Sequence, residues 1–233
     1  MKKNKTALPC VLAALALSAG GFALRLFERA GGSAIPLIGL SAAAVVVFLL
    51  AAWSLEKKAA FAELFRASVP DAVLSSLGAL LLIAGGIATV ATVASASRLL
   101  GLGAVLAGGA VLFCAAGRYK GKAAAPFAYV LPVLFYVVKL FMDFRRWMVD
   151  PAILDYCFLL FALISFMLAS FHAAGFTFDK GSRRALALFS LTGVYFGGAA
   201  IAGAGLAEAL VYGGSMAYLL ALVLQAFDPR AEA

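Results

Sequence analysis

Between Tyr136 and Tyr156 the chain carries Lys139, Asp143, Arg145, Arg146, Asp150 and Asp155, interleaved with Phe141, Phe144 and Trp147. Only 13% of the chain is charged and 65% is hydrophobic, so this density is unusual within it. Lys139 and Asp143 are four apart, as are Arg146 and Asp150, and in a helix each pair shares one face. Asp150 followed by Pro151 reads as a helix start, with Asp as the cap and Pro in the first turn. Trp147 sits where an interfacial aromatic anchor belongs.

Lys139 and Asp155 each fall about one turn inside neighbouring apolar runs. A Lys139–Asp155 ion pair would neutralise both. Two readings follow: a pair that stitches two helices, or a polar pocket flanked by Tyr136 and Tyr156, with Arg145 and Arg146 at its mouth. Glu208 reaches a similar depth, and Arg25, Glu28, Arg29 and Arg98 lie at the same side. Arginine forks match carboxylates and phosphates. The expected ligand is an anionic or zwitterionic small molecule, or a lipid headgroup.

Other chemistries find little support. The single histidine, His172, excludes a multi-histidine metal site within one chain. Cys10, Cys114 and Cys157 lie in apolar runs without paired zinc spacing, and read as small buried hydrophobes. Ser215, in Tyr212-Gly-Gly-Ser-Met216, has only His172 as an imidazole partner, and the two fall at different membrane depths. No HExxH, P-loop or paired-aspartate motif is present, so neither a cofactor nor ATP hydrolysis is expected.

The elements that position these residues are eight apolar runs filling the chain almost end to end. Each approaches the roughly 20 residues needed to cross the hydrocarbon core. They run from about Ala7 to Leu24, Ile35 to Leu55, Ala72 to Val93, Leu99 to Ala116, Pro126 to Phe144, Pro151 to Phe171, Ala185 to Gly203 and Leu206 to Phe227. The expected architecture is an all-α, polytopic transmembrane bundle forming one integral membrane domain over residues 1–233. The first run reads as an uncleaved span rather than a signal peptide.

The formal net charge of +8 reflects topology, not nucleic-acid binding. Lys and Arg accumulate in cytoplasmic loops. With the N-terminus inside, only Arg25, Arg29, Arg98, Lys139, Arg145 and Arg146 of the 19 basic residues lie outside. Both termini are therefore expected in the cytoplasm. Between the second and third spans, Phe61, Leu64 and Phe65 recur at helical spacing among Lys58, Glu63 and Arg66. Residues 57–69 are expected to lie as an amphipathic helix on the inner membrane surface.

Small residues four apart, such as Ala16 and Gly20, Ala104 and Gly108, Gly198 and Ala202, and Gly213 and Ala217, predict close helix contacts. Basic-aromatic stretches after spans 1 and 5, and tight hairpins 3–4 and 7–8, suggest a parallel four-plus-four repeat. Pro132 is expected to kink span 5.

Three functions fit. The first is a small-solute transporter, or the membrane-embedded substrate-binding subunit of one, with a separate energising partner docking near Phe61. The second is a lipid-headgroup-handling enzyme using Lys139, Asp155 and Glu208. The third is a structural or sensory scaffold, which predicts no polar cavity. Short loops and abundant Ala, Gly and Leu point to a bacterial inner membrane.

Overall fold

A computed structural model describes residues 7–92, 95–121, 125–148 and 156–228. Among them are eight helices long and apolar enough to cross a membrane, and no strand. The helices are α1 (Ala7–Arg29), α2 (Ile35–Trp53), α3 (Phe61–Leu64), α4 (Val69–Thr92), α5 (Ser95–Tyr119), α6 (Pro126–Trp147), α7 (Cys157–Gly175), α8 (Arg183–Ile201) and α9 (Leu206–Ala226). All but α3 are spans. The chain is a multi-pass membrane protein with an all-α fold.

Local chemistry marks the ends. Proline opens α2 and α6, where its missing N–H costs no helical bond. The Ser182 hydroxyl accepts from the Ala185 N–H at the start of α8. Gly31 after α1 has φ +96° and Gly121 after α5 has φ +67°, a left-handed backbone that stops a helix at little steric cost for glycine.

The spans sort by polarity. The two least apolar spans, α8 and α9, are the most buried, and the most apolar, α2, faces lipid. That order keeps the side chains of Thr192, Tyr195, Ser215 and Gln225 among protein groups that take their hydrogen bonds. Ser18 donates to the Val194 carbonyl at 3.0 Å, and the Tyr195 and Ser41 hydroxyls meet at 2.8 Å. These contacts join α1 and α2 to α8.

Helix α4 packs along both α5 and α9. Glycines permit the approach. A Cβ added at Gly78 would lie 2.6 Å from the Gly214 carbonyl oxygen, and one at Gly214 would lie 2.7 Å from the Gly78 oxygen. Gly86 and Gly101 stand in the same relation between α4 and α5, at 2.6 and 2.7 Å. Of the pairs expected from spacing, Gly108 does touch α4, whereas a Cβ at Gly213 would meet nothing within 4 Å.

At the end that the charge bias assigns to the inside, Asp71 in the first turn of α4 meets Arg118 in the last turn of α5. Arg118 Nε and Nη2 donate to the two Asp71 carboxylate oxygens at 3.1 and 3.3 Å, and Nη2 donates to Ser75 Oγ at 2.8 Å. The guanidinium also lies 5.5 Å from the Phe65 ring centre. Each charge complements its own helix dipole, and the antiparallel packing brings them together. All three residues are buried.

Two expectations are corrected here. Between residues 57 and 68 only Phe61–Leu64 is helical, α4 begins at Val69, and Leu64 and Phe65 are buried in the bundle instead of facing lipid. Phe65 packs against Tyr129 and Phe176, and the Arg66 carbonyl accepts from Gln225. The inner end of the bundle thus offers aromatic surface and hydrogen bonds that a lipid surface lacks. The four-plus-four repeat is matched only in part by the packing: α1 lies against α2 as α6 does against α7, and α4 against α5 as α8 does against α9. It would equate α2–α4 with α7–α8, yet α7 runs along α8 while α2 and α4 do not pack together.

Gly78→Ala and Gly214→Ala should each lower the thermal unfolding midpoint in detergent, by an amount equivalent to about 1–3 kcal/mol of overpacking. Gly213→Ala, which points into open space, should leave it unchanged. In a background with the native cysteines replaced, Arg145→Cys should react with a membrane-impermeant maleimide added to intact cells, and Lys180→Cys should not. The reverse labelling would invert the assigned orientation.

Candidate functional site

Helix α6 carries Lys139, Asp143 and Trp147 four residues apart, and Arg146 beside the last. This places the first three on one face. Lys139, Asp143 and Trp147 are buried although they approach the end of a span. The chain continues through Pro132 as one helix, without the N–H that would have bonded the carbonyl four residues back.

Lys139 Nζ donates to Asp143 Oδ2 at 2.7 Å, with both side chains almost fully enclosed. The ammonium lies 5.7 Å from the centre of the Tyr212 ring on α9, a cation–π contact in a desolvated setting. Below it, Tyr136 donates to Ser215 Oγ at 2.8 Å, and Ser215 donates to the Val211 carbonyl at 2.7 Å. Tyr136 packs on Phe135 and Phe166, and Tyr212 packs on Phe166, so an aromatic layer closes the bundle beneath the charges.

Two cavities flank this group at the end of the bundle opposite Asp71 and Arg118, the end that the charge bias assigns to the outside. One, of about 540 Å³, is lined by Arg25, Arg29, Asp143, Arg146, Trp147, Tyr156 and Glu208, with Gly203. The other, of about 370 Å³, lies towards α4 and α5 and is lined by Lys139, Asp143, Arg146 and Glu208 together with Thr89, Thr92, Phe135 and Val211. Asp143, Arg146 and Glu208 line both, so the two cavities form lobes around one charged wall. Arg25 pairs with Glu28 on α1. Arg29, Arg146 and Glu208 make no ion pair among the described residues. Gly203 leaves room for Arg29: an added Cβ there would lie 2.1 Å from Nη1.

The expected site residues divide accordingly. Lys139, Arg146, Tyr156 and Glu208 come together. Tyr136 is fully buried beneath them and lines neither cavity. Arg145 is exposed and also lines neither. Asp155, with Asp150 and Pro151, lies outside the described residues, and the carboxylate that meets Lys139 among those described is Asp143. Trp147 is not a lipid-facing anchor. It turns inward and stacks on Tyr156, with ring centres 5.2 Å apart and planes 10° apart.

Arg25 and Arg29 were legible only as charges on the same side, and their convergence needs α1 to lie against α8. Thr89 and Thr92 carried no signal at all. Their hydroxyls donate to the Gly85 and Ala88 carbonyls at 2.8 and 2.7 Å, leaving oxygen lone pairs to face the cavity.

Other candidates disperse. His172 stacks on Phe189 with ring centres 5.8 Å apart, and Ser215 is engaged with Tyr136, so the two form no dyad. Cys114 is buried, but Cys10 and Cys157 are only half-buried. No group of three potential metal ligands occurs among the described residues. The site can bind charge of both signs: Arg29 and Arg146 suit phosphate or carboxylate, and Glu208 suits an ammonium group.

Comparison with protein-family models, curated proteins and solved structures returns no match for this chain.

Asp143→Asn would leave Lys139 buried without its counter-charge and should destabilise the protein by about 3–5 kcal/mol. Combining it with Lys139→Met should recover much of that loss. Additive losses in the double variant would disprove the coupling.

Proposed function

We propose that this protein is a small-solute transporter, or the membrane-embedded substrate-binding subunit of one, whose outer cavity takes an anionic or zwitterionic ligand. The observation that carries the reading is the convergence of Arg29 and Arg146, both exposed, and half-buried Glu208 on cavities beside the enclosed Lys139–Asp143 pair. Polar groups gathered around a cavity within a bundle of spans are characteristic of substrate pathways.

The arrangement fits an outward-facing form. Polar space exists at the outer end, the Tyr136–Ser215 bond and its aromatic neighbours lie below, and the Asp71–Arg118–Ser75 cluster seals α4 to α5 at the inner end. Transport would require the aromatic layer to open. An energising partner remains part of this reading, but Phe61 is half-buried and the neighbouring Leu64 and Phe65 are buried. A partner would therefore meet the polar side of that segment. The membrane we assign is the bacterial inner membrane, with both termini in the cytoplasm.

A lipid-handling role is the second reading, and one feature favours it: an apolar groove that reaches the same charged end. A pure scaffold has no use for the outer cavities.

The test is thermal stability of the detergent-purified protein against anionic and zwitterionic metabolites. A ligand at a hundredfold excess over its dissociation constant should stabilise the fold by about 2.7 kcal/mol. The effect should vanish in Arg146→Gln and Glu208→Gln. Trp147 supplies a second readout. The chain has two tryptophans, and Trp53 is 66% exposed, so in a Trp53→Phe background ligand binding should alter the emission of Trp147 alone. Unchanged stability and emission across the panel would count against the reading.

A further inference from the structure

A cavity larger than either polar one lies elsewhere on the bundle. A groove of about 920 Å³ runs between α2 and α7 over a floor formed by α8. Its lining is apolar, with Ile38 and Val45 on α2, Phe161 and Ile164 on α7, and Leu188 and Phe196 on α8. Ile38 is 58% and Phe161 48% exposed, so the walls open towards the bilayer. Hydrophobic walls need no explanation on a membrane protein, but a deep groove that ends at a charged cavity does.

The extent of the groove matches half a membrane. On α7 it runs from Cys157 to Ser165, the first half of that span and a rise of about 12 Å, against about 15 Å for one leaflet of the hydrocarbon core. Its outer end reaches Glu28 and Phe158. The Arg25 guanidinium lies 5.2 Å from the Phe158 ring centre and pairs with Glu28, and Arg25 also lines the 540 Å³ polar cavity. The groove and the cavity therefore lie on the two sides of the Arg25–Glu28 pair, with Phe158 and Glu28 on the groove side and Arg25 on the cavity side.

The charges at that junction have a sign. With Arg25 set against Glu28 and Lys139 against Asp143, the described cavity walls leave Arg29, Arg146 and Glu208. Two guanidiniums and one carboxylate complement a phosphodiester, with or without an adjacent ammonium. An apolar slot one leaflet deep, capped by a phosphate-complementary cavity, has the shape and polarity of a single phospholipid.

We propose that the groove between α2, α7 and α8 and the outer polar cavity together form one site for a glycerophospholipid, with an acyl chain in the groove and the headgroup phosphate at Arg29 and Arg146. This rests on the reading of the outer cavity as a ligand site and names the ligand class. The lipid would enter sideways from the outer leaflet. No bond is made or broken.

Native mass spectrometry of the full-length protein in detergent tests this, with four probes: phosphatidylglycerol, phosphatidylethanolamine, phosphate-free monoolein and water-soluble glycerol 3-phosphate. The expected result is one phospholipid retained per chain, with monoolein and glycerol 3-phosphate held far more weakly. Arg29→Gln should weaken phospholipid binding about tenfold to a hundredfold, the loss of one charge-assisted contact. Ala42→Trp, which fills the groove from the exposed side of α2, should do the same, and Ile38→Trp serves if that variant does not fold.

Equal phospholipid retention in all variants would mean an unspecific lipid annulus and overturn the proposal. Glycerol 3-phosphate binding as tightly as phospholipid, unaffected by the tryptophan variants, would overturn the lipid assignment and leave the polar cavity as a solute site. No binding of any probe, together with a blank metabolite panel, would remove both readings. A dimer that is lost in Ile38→Trp would assign the groove to a second copy of the chain and overturn the proposal.

Discussion

A charge taken into hydrocarbon must bring its counter-charge with it, and the bundle is organised around that rule. Asp71 and Arg118 close one end and Lys139 and Asp143 the other, each pair enclosed and bonded at hydrogen-bond distance. Removing one member of such a pair leaves an uncompensated charge, at a cost of about 3–5 kcal/mol. Water cannot repair the loss in the membrane core. Asp71 and Arg118 lie in terminal turns whose helix dipoles favour them, whereas Lys139 and Asp143 sit one to two turns inside the end of α6 and depend on each other.

Between the charged ends, packing does the work that water-driven burial does in a soluble protein. Lipid tails are as apolar as leucine, so helices associate through close contact. Gly78 with Gly214 and Gly86 with Gly101 bring backbones together where any side chain would intrude. The seam between α4 and α9 runs outward to Gly85 and Val211. Beyond it, Thr89 and Thr92 on α4 and Ala207 and Glu208 on α9 line open space. The cavity therefore begins where the glycine seam stops, and the charged side chains occupy the gap that close packing leaves.

The same logic separates a site from a scaffold. Elsewhere in the bundle many polar groups are matched: Ser18 to a carbonyl, Tyr195 to Ser41, Arg184 to the Leu55 carbonyl. At the outer end the matching is incomplete among the described residues. Arg29, Arg146 and Glu208 face shared volume without pairing. An apolar groove opens beside that volume, across the Arg25–Glu28 pair. The two features together favour a ligand with both a charged and an apolar part.

Much of this was legible in the residues alone. Apolar runs long enough to cross a bilayer determine an all-α membrane bundle, because only hydrogen bonds within the segment can satisfy its backbone there. The four-residue spacing of Lys139 and Asp143 placed both on one helical face, and Arg146 and Glu208 fell at the same membrane level by counting from the span ends. Which spans touch was not legible. Hydropathy measures distance from water and is silent on neighbours, so the convergence of α1 on α8, the inward turn of Trp147 and the burial of Leu64 and Phe65 had no signature. Nor did the pairing of Asp71 with Arg118, residues 47 positions apart whose partnership exists only because α4 and α5 pack antiparallel. Sequence by itself determined what must lie in the membrane and at what depth. Tertiary structure decided which charges neutralise each other and which are left facing a cavity, because that depends on lateral helix contacts set by the shapes of small residues.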